Sequence, residues 1–83
     1  MTGVPREWEF DDVYDTLDRG CGDFLLELKN VFAELEDGAR LMLASRDAGA
    51  PREVPAWCRL TGHVLHEARP PFFLIEKRAP RAH

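Results

Sequence analysis

The stretch FLLELKNVFAELEDGARLMLA, residues 24–44, decides the fold, because its hydrophobic period changes partway along. Phe24, Leu28, Val31 and Leu35 fall at i, i+4, i+7 and i+11, with Leu25 and Phe32 widening the stripe. Glu27, Lys29, Asn30 and Glu34 lie off it, the pattern of an amphipathic helix ending near Glu36. Asp37-Gly38 then stops the helix. Ala39 to Ala44 is short and mostly apolar, as a strand covered on one face and lying centrally would be.

Working outward, Trp8, Phe10 and Tyr14 fall on alternate positions with Glu9, Asp11 and Asp15 between them, the period of a half-buried strand within residues 8–15. Downstream, RDAGAPREVPAWCRLTGH, residues 46–63, reads as a second helix. Pro51 suits a first helical position, Pro55 either sits in the first turn or marks a later start, and Gly62 suits the residue past the end. Val54, Trp57, Cys58 and Thr61 share one of its faces. His63 to Glu67 reads as a third strand, Ala68 to Pro71 as an unpaired turn and Phe72 to Lys77 as a fourth strand. The order β-α-β-α-β-β predicts an α/β fold, an α+β two-layer sandwich with a four-stranded mixed sheet and two helices on one face. The last strand is apolar on both sides. Phe73 and Ile75 occupy one side and Phe72 and Leu74 the other, so the second pair is expected to be partly exposed, either as a self-association or docking patch or as scattered surface apolars, in a chain that is a monomer or a weak homodimer through the open sheet face.

With 83 residues, 45% of them hydrophobic and 31% charged, the chain is expected to form one domain, 1–83, with an ordered core at about 8–78, a flexible N-terminal arm and a C-terminal tail. A net charge of −4 argues against direct nucleic-acid binding, which needs a concentrated basic surface. No apolar run approaches the roughly 20 residues that cross a bilayer. Residues 1–6 lack the apolar stretch of a secretory signal, so a cytoplasmic protein with free thiols is expected.

The candidate chemistry centres on DRGCGDF, residues 18–24, where Cys21 stands between two glycines just before the first helix. At a helix N-terminus the unpaired backbone amides and the macrodipole favour thiolate over thiol. Arg19 acts in the same direction, whereas Asp23 opposes it and is itself a candidate cap. Cys58, inside a helix on an apolar face, reads as a small core residue. Cys58-x4-His63-x2-His66 matches no strong zinc spacing, and no metal or cofactor is expected.

REVPAWCRLTGHVL, residues 52–65, resembles the second helix of the TusA-like (SirA-like) sulfur-carrier family, whose members often read D-I-P-A-W-C-R-x-T-G-H there. Asp47-Ala48-Gly49-Ala50 resembles the family's D-P-G-[SA] turn, and Phe73 to Lys77 its closing F-L-I-R-K strand. The resemblance covers residues 12–78. On the family's L-D-x-x-G-L-x-C-P-x-P, Tyr14 takes the leucine, Asp15 the aspartate and Cys21 the persulfide-carrying cysteine. This chain is a variant with C-G in place of C-P: Gly22 and Phe24 replace the two prolines, Asp18 the usual glycine and Arg19 the usual apolar residue. The resemblance implies a sulfurtransferase or persulfide carrier that accepts sulfane sulfur on Cys21 and relays it between proteins. Expected donors and acceptors are of the cysteine desulfurase, rhodanese or DsrE-like kinds, with tRNA thiolation, cofactor assembly or sulfur oxidation as destinations. Arg19, Asp23, Arg46 and Arg59 are candidates for partner binding. The alternatives are a non-catalytic protein-binding or regulatory module of the same fold, separated by the reactivity of Cys21, and a nucleic-acid-binding sandwich, which the charge disfavours.

Overall fold

The computed structural model describes residues 3–16 and 21–78, with the side chains of 21–25 outside the description. Its elements run β1 (Asp12–Asp15), α1 (Cys21–Ala33), β2 (Arg40–Ala44), α2 (Ala50–Thr61), β3 (Val64–Arg69) and β4 (Phe72–Glu76). They form a four-stranded mixed sheet in the order β1-β2-β4-β3. β1 pairs parallel to β2, which requires the α1 crossover, while β4 lies antiparallel between β2 and β3. This is the two-helix, mixed-sheet architecture that the hydrophobic periods predict. Among the described residues no helix is long and apolar enough to cross a membrane.

The pleat sorts the strand residues between two cores. Leu41 and Leu43 of β2 pair with Ile75 and Phe73 of β4, and these four meet Leu28 and Phe32 of α1 and Ala50, Val54 and Cys58 of α2. Tyr14 and Leu65 extend that core from the edge strands. The intervening Met42, Ala44, Phe72 and Leu74 form a second cluster with Trp8, against which Val4 and Phe10 pack.

That second cluster corrects two expectations. Trp8 and Phe10 are not in β1, which starts at Asp12; they belong to an arm that crosses the sheet on the side away from the helices. Phe72 and Leu74 are accordingly buried, at 9% and 5% exposure, so the sheet face expected to be open for a weak homodimer is covered by the chain itself. An extended strap and an edge strand share the same alternation, which is why the spacing alone misassigned the aromatics.

Helix ends follow local chemistry. Pro51 lies in the first turn of α2, where its missing N–H costs nothing, and Pro55 lies farther along the same helix. Gly62 closes α2 in the left-handed conformation, φ 88° and ψ 0°, its N–H donating to the Cys58 carbonyl at 2.9 Å. α1 begins at Cys21 and ends at Ala33, three residues before the expected Glu36. Two further turns follow it, Glu34 N–H to the Val31 carbonyl and Leu35 N–H to the Phe32 carbonyl. Lys77 caps this end, its Nζ donating to the Phe32 and Leu35 carbonyls.

The β3–β4 hairpin departs from the expected turn. Ala68 and Arg69 pair with Phe73 and Phe72, leaving only Pro70-Pro71, joined by a cis peptide, as the loop. His66 sits where the register shifts between Leu65 and Glu67, a bulge in β3. His63 precedes the strand. Neither histidine is therefore placed by simple strand alternation.

Candidate functional site

Because β1 and β2 run parallel, their C-terminal ends, Asp15 and Ala44, lie side by side. Thr16 continues the pairing, its N–H donating to the Ala44 carbonyl at 2.9 Å and its buried hydroxyl to the same oxygen at 3.1 Å. Each strand is followed by a short connection and a helix, so the starts of α1 at Cys21 and of α2 at Ala50 share this end of the sheet. The hairpin tip joins them: the Ser45 N–H donates to the Pro71 carbonyl at 2.9 Å.

The β2–α2 connection is built by its own side chains. The Asp47 carboxylate accepts the Gly49 N–H at 2.9 Å, and the Ser45 hydroxyl accepts the Asp47 N–H at 3.4 Å. A β-carbon at Gly49 would stand 3.0 Å from Asp47 Oδ2 and 3.7 Å from the carboxyl carbon of Glu53, so two carboxylates flank this glycine. Glu53 Oε2 is buried without a hydrogen-bond partner. Sequence reasoning missed Glu53. An acid in the first turn of a helix favours the dipole, but which other groups it lies against is a matter of three dimensions.

Of the residues singled out from the sequence, Cys21 is the first residue of α1, one position earlier than a start at Gly22. Arg46 lies two residues past the end of β2 and is exposed at this same end. Arg59 lies in the last turn of α2, nine residues beyond Ala50, or roughly 13 Å along the axis, at the opposite end. The structure therefore groups Cys21 with Arg46 and separates Arg59 from them. Arg19, and the side chain of Asp23, lie outside the described residues.

The second cysteine offers no comparable chemistry. Cys58 is 3% exposed within the core under α2, and burial pushes its thiol up to about 11. A thiol so protonated at neutral pH is a poor nucleophile.

His63 occupies the end of the molecule away from Cys21. Its ring stacks on Phe32, with centroids 4.6 Å apart and planes 25° apart, and lies 5.3 Å from the Trp57 ring. The Arg78 N–H donates to Nδ1 at 3.1 Å, which requires the neutral ring to carry its proton on Nε2. Burial, and secondarily the Lys77 charge, hold its pKa below the ordinary histidine value. Among the described residues no three His, Cys, Asp or Glu side chains converge to hold a metal ion.

No protein-family model matches the chain. The chain is similar to two Neisseria meningitidis proteins, from serogroup A and serogroup B strains, each named a "putative sulfur carrier protein". Each match is 41% identical over 44 residues, 53% of this chain and 60% of the relative. The chain thus spans less than two thirds of the length of these curated relatives.

Proposed function

We propose that this protein is a sulfur carrier in which Cys21 holds sulfane sulfur as a persulfide, a TusA-like variant with C-G in place of C-P. The observation that carries the reading is the position of Cys21 as the first residue of α1. The first amides of a helix have no intrahelical acceptor and, with the macrodipole, favour a thiolate or persulfide anion. The similarity to proteins named as sulfur carriers supports the same reading.

In loading, the Cys21 thiolate attacks the terminal sulfur of a donor's persulfide. A sulfur–sulfur bond forms to Cys21, the donor's sulfur–sulfur bond breaks, and the donor cysteine leaves as thiolate. There is no net oxidation or reduction. Delivery is the same exchange with Cys21 as the leaving thiolate. Such a step needs an accessible sulfur and a docking surface, and the donor and acceptor supply the rest. Docking at this end falls to Arg46, with Arg19 and Asp23 adjacent to Cys21 in sequence. Arg59 is reached only by a partner that spans the length of α2. Cysteine desulfurase, rhodanese or DsrE-like proteins in the cytoplasm are the partners proposed.

The experiment is intact mass spectrometry after incubation with a cysteine desulfurase and cysteine. Added sulfur is expected in the wild type and in Cys58→Ser, and lost in Cys21→Ser and on reduction. Iodoacetamide should likewise modify native Cys21 well before Cys58. Absence of loading from any persulfide donor, or loading that survives Cys21→Ser, overturns the carrier in favour of a binding module.

A further inference from the structure

α2 turns Ala50, Val54 and Cys58 into the helix-side core. Its opposite side carries Arg52, Ala56, Arg59 and Leu60, all exposed. At about 100° per residue these four fall within about 100° of one another, along roughly 12 Å of the axis, and so form one outward stripe. Leu60 is 86% exposed, the barest large apolar side chain among the described residues. Neither the Arg52 nor the Arg59 guanidinium has an ion pair or hydrogen bond among the described residues, whereas on the sheet Arg69 pairs with Glu67 and Arg78 with Glu76. Carboxylates are not scarce, since the chain has 15 Asp and Glu to 11 Lys and Arg. The one acid of α2, Glu53, is turned toward Gly49, with its Oε2 buried, and leaves the stripe without a negative charge of its own.

We propose that this stripe is a docking surface for an acidic segment of a partner protein, one whose carboxylates bracket an apolar side chain. Arg52 and Arg59 stand seven residues apart, close to two helical turns, so both guanidinium groups point the same way. Each presents a planar fork that takes a carboxylate through two parallel hydrogen bonds. Ala56 lies between them with only a methyl group, so an apolar side chain of the partner can approach the helix closely and cover Leu60. A nucleic acid offers no counterpart to Leu60, and its phosphates would meet a chain of net charge −4. The inference rests on this face alone and stands whether or not Cys21 carries sulfur. Arg52 lies in the first turn of α2, so a segment held along the stripe has one end where α1 also begins.

Amide chemical shifts of the full chain, titrated with a synthetic helical peptide that carries two glutamates seven positions apart and leucines between them on the same face, test this. Saturable changes are expected at Arg52, Ala56, Arg59 and Leu60. R52E/R59E should weaken binding by about tenfold or more and take up instead the same peptide with lysines in place of its glutamates. Leu60→Ser should weaken it by about tenfold. No saturable change, changes centred away from α2, or undiminished binding by R52E/R59E each overturns the proposal. Equal binding of the peptide with serines in place of its leucines, or of a single-stranded DNA oligonucleotide, also overturns it, because the stripe would then take any polyanion. Should R52E/R59E lose its helical circular dichroism, R52Q/R59Q decides, since it removes both charges without placing an acid in the last turn of α2. Weaker binding is expected there as well, and undiminished binding overturns the proposal.

Discussion

At the scale of single residues, His63 is the group whose titration the fold opposes. It is stacked on Phe32, accepts the Arg78 amide at Nδ1 and lies near Lys77, so a second ring proton would set two donors face to face and add charge beside a cation. Its folded pKa is lowered from 6.5. As pH falls through that value the unfolded chain takes up a proton that the native chain refuses, so native stability falls with acidification. The loss begins near the unfolded value and continues until the lower folded value is passed. Urea midpoints between about pH 7.5 and about pH 5.5 should therefore drop more steeply in the wild type than in His63→Gln, and parallel curves would refute the assignment. Glu76 is displaced in the other window. Its hydrogen bond from His66, with Arg78 and Arg40 nearby, holds it below 4.5, so its contribution is lost only at more acid pH. Cys58 was legible as a core residue because helical spacing put it beside Val54. The stacking of His63 was not, because the residue had been given to a strand.

At the scale of elements, Gly62 shows local chemistry that the sequence does reveal. A glycine after the last periodic residue of α2 signals a left-handed cap, and the structure has φ 88° there with open space around the missing β-carbon. Gly62→Ala should therefore lower stability through backbone strain alone, by about 1–2 kcal/mol. Thermal unfolding measures it, and Gly62→Asn should lose less. The two helices, the central strand and the closing strand were likewise legible from period and turn residues. The β1 boundary and the hairpin were not. Trp8 and Phe10 alternate like strand residues but lie across a sheet, and Arg69 still pairs beside two prolines because only the prolines lack an N–H.

For the whole molecule, the arm turns a two-layer expectation into a sheet covered on both sides. Trp8 contacts the strand cluster of Met42, Ala44, Phe72 and Leu74, with no helix in that cluster. Trp8→Ala should lower the unfolding free energy by about 3 kcal/mol and leave far-ultraviolet dichroism at low denaturant unchanged. A loss of helical signal in that variant would show the arm to be coupled to the helix side. The place of Cys21 at the start of a helix was readable from glycine flanks and periodicity. The pairing of its end with Arg46 and the buried oxygen of Glu53 depended on the parallel strands, and Arg59 fell at the far end for the same reason.

The bulge at His66 makes β3 a strand of two phases. Before it, Leu65 lies opposite Ile75 on the helix side; after it, Glu67 lies opposite Leu74 and receives the Trp8 indole. Strict alternation would have sent Glu67 the way of Leu65, into the helix-side core. The extra residue shifts everything from 67 to 69 by one step, so that a carboxylate and a guanidinium reach the arm's side and Ala68 turns toward Phe73. Excising the histidine would leave Leu65 opposite Ile75 and Glu67 opposite Leu74 in an unbroken ladder, with both charges still on the arm's side. The side each charge takes is thus set by its partner on β4, Leu74 for Glu67 and Phe72 for Arg69, rather than by its count along β3.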